Sequence, residues 1–441
     1  MSHDRFGSKT FCILPWMHTF IDVNGDVKLC CVAMGGSEKA PSETAALSVQ
    51  QRPFKELWNS AEMKGIREKM LTGQQVETCR RCHKEDELGQ VSYRQNYNRY
   101  WLDDRPDGEL WKRRVEDSMT RGYEVPQLPA YFDIRPGNLC TLKCRMCHSD
   151  YSNLIKDDPV HSRWAHQSYR TEPTRFSGGK EWYQAEDLVL GELLEDVSET
   201  RMFYLAGGEP LVNPFVRKLI DTLIERGAAA NVSLEISTNA TVLPPPLIEQ
   251  LSKFATVRLF LSIDGHGPLY EYIRYPGKWD RVSKHLEEAS RLSGGWSCTV
   301  TTTVQNYNAL ALPDIFKTME AYGLPCNFNL VYNPEYLSIR NMPARARDLA
   351  IQRLIELRTY AESSPMAKLQ PGIIANISNV IIELEQESDH IYRRWIRDFN
   401  TFTNDLDKSR GQSFRDVCPE LHELIISDGQ TWHDHVRHAG E

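Results

Sequence analysis

Between residues 131 and 332, six apolar runs of strand length alternate with segments of helical period, and this rhythm limits the fold more than any other feature. The runs cover 131–135, 202–206, 232–237, 257–263, 298–304 and 327–332. Helical patterns separate them at 186–199, at Phe215, Val216, Leu219, Ile220 and Leu223, and at 246–254, 279–292 and 313–322. Strands joined through helices lie parallel with right-handed crossovers, so the segment reads as an α/β unit. Six such units fall short of a closed eight-stranded barrel, and ligands are expected at the mouth formed by the C-terminal strand ends.

The first two strand ends carry the chemistry. Run 131–135 stops at Pro136-Gly137 and is followed by Cys140, Cys144 and Cys147, spaced C-x3-C-x2-C. Three thiolates on one tight loop can hold three irons of a cubane [4Fe–4S] cluster and leave the fourth iron open to a chelating substrate. The other reading is a zinc knuckle, which needs a fourth ligand, and His148 stands awkwardly close to Cys147 for that task. The second run, 202–206, leads directly into Gly207-Gly208-Glu209-Pro210. A Gly-Gly turn there lets bare backbone approach a ligand, and Glu209 can pair with an ammonium group. Further polar strand ends are Ser237 and Asn239, Ser262 and Asp264, and Asn306, which suit a ribose or carboxylate but also ordinary caps.

Together, the cysteine triplet, the GGE segment and the strand–helix rhythm resemble the radical S-adenosylmethionine (radical SAM) superfamily. The resemblance implies a partial (β/α)6 TIM-like barrel over 131–334, interrupted by an insertion at 149–185. It implies that SAM chelates the open iron through its amine and carboxylate. Gly207, Gly208, Glu209, Ser237, Asn239, Ser262, Asp264 and Arg274 would then line the SAM site. Met146 stands where the family often has an aromatic residue. The insertion contains Trp164, Tyr169 and Trp182 among charged residues, and is expected as a surface excursion or a lid.

Residues 1–90 hold a second cysteine set. Runs 19–23 and 26–31 flank Asn24-Gly25, a hairpin signal that places Cys12 and Cys30 near one end of the ribbon. Phe54, Leu57, Trp58, Met63, Ile66 and Met70 then recur at helical spacing before Cys79-x-x-Cys82. Four thiolates of this kind can close a structural zinc site or an iron–sulfur site. The pattern Cys12, Gly25, Cys30, closed by Cys79 and Cys82 and followed by Glu85 and Ser92-Tyr93-Arg94, resembles the twitch module, the short form of the SPASM domain. In the relatives that module usually follows the barrel; here it precedes it. The resemblance implies a fully ligated auxiliary [4Fe–4S] cluster suited to passing electrons. Cys31 is expected to be packed rather than ligating, and Cys298, Cys326 and Cys418 to be plain buried thiols. Residues 91–130 read as an irregular linker with one helix at 108–120, and 335–441 as a helical C-terminal extension.

The remaining sequence restricts partners. A net charge of −8 without a basic stripe argues against nucleic acid, and no apolar run is long enough to span a bilayer. The N-terminal residues lack a secretory layout, so eight clustered cysteines point to metal rather than disulfides, and to the cytoplasm. The resemblance implies reductive cleavage of SAM to a 5′-deoxyadenosyl radical that abstracts hydrogen from a substrate carbon. That act needs no catalytic acid or base, so no catalytic side chain is assigned. A peptide substrate and an electron donor such as flavodoxin or ferredoxin are expected. The alternatives are oxidation of a small molecule such as a sugar or cyclitol, and a non-catalytic iron–sulfur or zinc protein.

Overall fold

In the computed structural model, residues 5–33, 47–164, 174–386 and 392–427 are described. Among the described residues eight strands are present: β1 (His18–Ile21), β2 (Val27–Lys28), β3 (Tyr131–Ile134), β4 (Met202–Leu205), β5 (Ser233–Thr238), β6 (Thr256–Ser262), β7 (Trp296–Val304) and β8 (Cys326–Leu330). They follow one another in the sheet in the order β2-β1-β3-β4-β5-β6-β7-β8. The last six are the expected strands, each within two residues of its predicted bounds. The fold is α/β, in keeping with a partial barrel. The hairpin β1–β2 was not expected in this sheet. Its strands pair antiparallel, and β1 lies parallel to β3 with Phe20 opposite Asp133.

The chain forms two compact units, one of residues 1–137, 169–236 and 250–257, the other of 138–168, 237–249 and 258–441. In the first, β3 and β4 pair in parallel, and Phe132 stacks on Phe203 at 5.0 Å. Residues 91–130 are more regular than a linker. Ser92 caps a helix at Tyr93–Arg99 by accepting the amide of Gln95, and a second helix covers Gly108–Thr120. The helix expected at 186–199 stops at Leu193, because Asp196 turns the chain by accepting the amide of Ser198. The part of the insertion in this unit runs exposed at 177–181, as a surface excursion does, and is anchored by one residue. Trp182 is fully buried, donates to the Val23 carbonyl at 3.2 Å and packs edge-on to Phe215. It also lies over Gly25, where an added Cβ would meet the indole at 2.8 Å. Tyr169 lies outside the described residues.

In the second unit, β7 and β8 pair in parallel. The Phe328 backbone is satisfied by Asn376, which accepts its N–H at 2.6 Å and donates to its carbonyl at 2.9 Å. A helix side chain thus caps a strand backbone that would otherwise be free to recruit another chain. Asn376 belongs to the helix Ile373–Glu385, between the helices Ala344–Ser363 and Tyr392–Arg410. The helical extension is as expected, although its last long helix runs on to Arg410 where the apolar stripe fades near residue 402.

Candidate iron–sulfur and SAM sites

The three-cysteine loop is held from within and from both sides. Asn153 accepts the Cys140 amide at 2.9 Å, Ser152 donates to the Leu142 carbonyl at 2.7 Å, and the Cys147 amide bonds the Cys144 carbonyl at 3.1 Å. The amides of Lys143 and Arg145 reach the carbonyls of Tyr275 and Ile273 at 2.7 and 2.9 Å, fixing the loop backbone against that segment. Burial, then the neighbouring thiols of Cys144 and Cys140, pushes the Cys147 thiol well up from its ordinary range. Cys144 is raised by burial and drawn back by Arg274. Three thiols on one loop, Cys144 buried and Cys140 and Cys147 half-buried, repel as thiolates and are a donor set that iron relieves, so the loop fits such a group. His148 is turned to other work: its Nδ1 lies 3.6 Å from Asp150 and its ring meets Tyr151 edge-on.

Several residues expected around SAM converge on this loop. Asn239 donates its amide toward Cys140 Sγ at 3.8 Å and to Thr141 Oγ1 at 3.0 Å, while its carbonyl oxygen accepts from the Thr241 amide at 3.0 Å. Arg274 is buried with Nη1 4.0 Å from Cys144 Sγ and Nη2 2.8 Å from Asp264. Asp264, fully buried, also accepts the Thr303 amide at 2.7 Å. These residues form a collar that donates N–H groups to sulfur. Ser237 and Ser262 are half-buried at the ends of β5 and β6. Asn306 is committed to the backbone, its amide group donating to the Tyr336 carbonyl at 2.9 Å.

In the first unit the GGE segment follows β4. Gly207 has φ +121°, and an added Cβ would sit 3.2 Å from the Gly137 carbonyl oxygen, which only glycine tolerates without strain. Gly208 is half-buried. Glu209 is buried and accepts the Leu211 amide at 3.1 Å, opening the short turn Pro210–Val212. Asn213 ties this corner to the Pro136 carbonyl at 2.6 Å.

The second cysteine set also converges. Cys12, Cys30, Cys79 and Cys82 line one pocket together with Leu14, Leu29, Tyr93 and Arg94. Burial pushes Cys12 up to about 12, with Cys82 adding to it, and Cys30 rises through burial and then Cys12 and Cys79. Among the described residues no three His, Cys, Asp or Glu side chains close on a single ion. Four thiols lining one pocket are the donor set a cubane takes. The sequence clue Ser92-Tyr93-Arg94 has a physical reason: Ser92 caps the helix, Tyr93 lines the pocket, and Arg94 donates to the Phe11 carbonyl at 2.7 Å while pairing with Asp86. Asn98 was missed; its only signal is its place two helical positions beyond Asn96 on a short polar helix. Cys31 departs from expectation, being exposed with its sulfur 3.4 Å from the Tyr93 hydroxyl. Cys418 is buried and meets the Tyr307 carbonyl, as a plain thiol does.

Residues 134–318 match the radical SAM superfamily, from within β3 through the cysteine triplet and the GGE segment. The chain carries a radical SAM domain. Residues 12–83, with all four cysteines of the second pocket, match SPASM, an iron–sulfur cluster-binding domain. The chain is 31% identical over 118 residues to the AdoMet-dependent heme synthase of Methanosarcina barkeri, across 26% of its own length and 31% of the relative's. It therefore spans about a third of that curated relative. Among solved structures it is similar to Streptococcus suis SuiB bound to S-adenosylmethionine, with 15% identity, 65% of this chain and 60% of that one covered, and a TM-score of 0.37. It is also similar to anSMEcpe with bound AdoMet, with 17% identity, 53% and 62% covered, and a TM-score of 0.38. The SPASM match precedes the barrel in sequence, and the helical extension lies outside both matched segments.

Proposed function

We propose that this radical SAM protein reductively cleaves S-adenosylmethionine and abstracts hydrogen from a carbon of a peptidyl substrate. The reading is carried by one observation: three thiols on one loop, with N–H donors of Asn239 and Arg274 aimed at two of them. When bound, a cubane held by Cys140, Cys144 and Cys147 supplies one electron to the sulfonium, and the 5′-deoxyadenosyl radical so formed removes a hydrogen atom. The protein's part is to hold and to exclude water. Gly207 offers backbone without a side chain in the way, and Glu209 offers a buried carboxylate for the methionyl amine. Asn239 and Arg274 donate to sulfur, a device that favours the more negative, reduced state of such a group.

Cys12, Cys30, Cys79 and Cys82 would hold the auxiliary cluster. With four thiolates it would be closed to substrate and suited to accepting an electron from the product radical. An external one-electron donor of the flavodoxin or ferredoxin type would supply the first electron. No helix among the described residues is long and apolar enough to cross a membrane. The SPASM match supports the peptide class, since bearers of that module often act on peptides.

The test is anaerobic reconstitution followed by SAM and dithionite, with 5′-deoxyadenosine measured. Release that depends on Cys140, Cys144 and Cys147 supports the reading. Iron-loaded protein that releases none overturns it. Deuterium transfer from a labelled candidate peptide into 5′-deoxyadenosine tests the substrate class.

A further inference from the structure

The residues between the ligand cysteines are fastened to a helix 262 positions away. Arg145, one residue past Cys144, is fully buried, with its guanidinium 3.6 Å from the Tyr272 ring centroid. Its Nε donates to the Tyr272 carbonyl at 3.0 Å, and its Nη2 reaches both Asp407 and, at 3.1 Å, Gln412. The Asp407 carboxylate also accepts the Tyr272 hydroxyl at 2.8 Å and the Phe414 amide at 2.6 Å. One turn further along the same helix, Tyr392–Arg410, the buried Arg410 donates to the Lys143 carbonyl at 2.9 Å and lies 3.0 Å from His161 Nδ1. Lys143 in turn pairs with Asp158 at 2.6 Å. Residues 143 and 145, on either side of Cys144, are therefore both tied to one C-terminal helix.

Burying this many charges has a purpose beyond packing. A buried Arg–Asp pair adds little net stability compared with apolar residues, yet removing one partner is costly. What such a pair does supply is a fixed position and orientation for the chain that carries it. Three sulfurs must keep one triangle whether the iron is present or not, and the loop that bears them is otherwise irregular. Asp407 and Arg410 lie outside the matched radical SAM segment, so the core fold alone does not provide this restraint.

We propose that Asp407 and Arg410 are positioning residues for the three-cysteine loop, making the C-terminal extension part of the SAM-cluster site. The inference rests on the proposed function for the identity of the bound group. Residues around a metal's ligands commonly change metal affinity by about 10- to 100-fold when altered. The extension thus sets how well the open-iron cluster is assembled and how it meets SAM.

The experiment compares the reconstituted full chain with Asp407→Asn, Asp407→Glu, Arg410→Gln and the double variant Arg145→Met/Asp407→Leu. Readouts are iron content, the electron paramagnetic resonance spectrum of the reduced clusters with and without SAM, and amide hydrogen exchange of residues 143–147 in the metal-free chain. Asp407→Asn and Arg410→Gln should lose up to half the iron, speed exchange in 143–147 about tenfold, and weaken the SAM-induced spectral change. Asp407→Glu should restore part of each. The double variant removes the unpaired buried charge and should keep its fold while still losing the SAM response; it decides the matter should a single variant fail to fold. Wild-type iron, exchange and SAM response in the double variant and in Arg410→Gln would overturn the proposal. A wild-type chain without any SAM response overturns the proposed function instead, so the two failures are separable.

Discussion

Asn98 brackets Cys12. Its side-chain oxygen accepts the Ile13 amide at 2.8 Å and its nitrogen donates to the Phe11 carbonyl at 2.9 Å, so the backbone on both sides of the thiol is fixed by one residue. Asn98→Leu would leave the buried Ile13 amide without its partner, while the Phe11 carbonyl keeps the bond from Arg94, at a cost of about 1–3 kcal/mol. The expected outcome is a lower denaturation midpoint and loss of iron from the N-terminal pocket, with SAM cleavage retained. Equal iron content in the variant and the wild type would show that Asn98 does not hold Cys12.

The two cysteine sets should separate in a double experiment. Two cubanes bring about eight irons per chain, and Cys79→Ala/Cys82→Ala should lose about half of them. That variant should still release 5′-deoxyadenosine, whereas Cys140→Ala/Cys144→Ala/Cys147→Ala should release none. Unchanged iron in the Cys79/Cys82 variant counts against a second cluster.

Much of this was legible in the sequence because it rests on local pattern. Strand–helix alternation placed six strands to within two residues, and the cysteine spacings picked out the three-cysteine loop and the four thiols that share the N-terminal pocket. What stayed hidden depends on distant partners. The pairing of β1 with β3 joins residues 18 and 131, and no local pattern encodes which edge a short hairpin will extend. Arg145, Asn98 and Asp407 read as ordinary surface polar residues, and only the packing shows that each is buried. The anchor of the insertion was hidden for the same reason: its charges mark a surface run, and only the packing shows Trp182 in contact over Gly25.

Gly207 should tolerate no side chain. At φ +121° an alanine is strained, and its Cβ would press on the Gly137 carbonyl, together costing about 1–3 kcal/mol. Gly207→Ala is expected to lower thermal stability by a few degrees and to raise the SAM concentration needed for half-maximal 5′-deoxyadenosine release. Gly227, whose Cβ would meet open space, provides a control in which only the left-handed backbone is strained.

Stability should fall on mild acidification, and His18 is one cause. Burial lowers His18 to about 3 from its ordinary 6.5, and its Nδ1 lies 2.9 Å from the Leu29 carbonyl. The unfolded chain binds a proton at this residue below pH 6.5 while the folded chain does not, so stability is complete above 6.5 and drains away as pH falls toward 3. At pH 5 the loss from this residue is about 2 kcal/mol. His18→Asn, which can still donate to Leu29, should flatten the dependence of the urea midpoint between pH 7 and 5. An unchanged slope would assign the acid sensitivity to other groups.

Arg274 stands between a buried carboxylate and a ligand sulfur, and the two contacts make separate demands on it. Toward Asp264 it supplies the charge that makes full burial of that carboxylate tolerable. Toward Cys144 it supplies an N–H that stabilises negative charge on sulfur. Arg274→Gln strands Asp264 and is expected to cost about 3–5 kcal/mol, seen as a lower melting temperature of the metal-free chain. Arg274→Lys keeps the charge but lacks the planar fork that serves both partners at once. It should therefore melt close to the wild type yet shift the midpoint potential of the SAM-binding cluster to a more negative value. A potential equal to the wild type in Arg274→Lys would mean that Arg274 serves Asp264 alone.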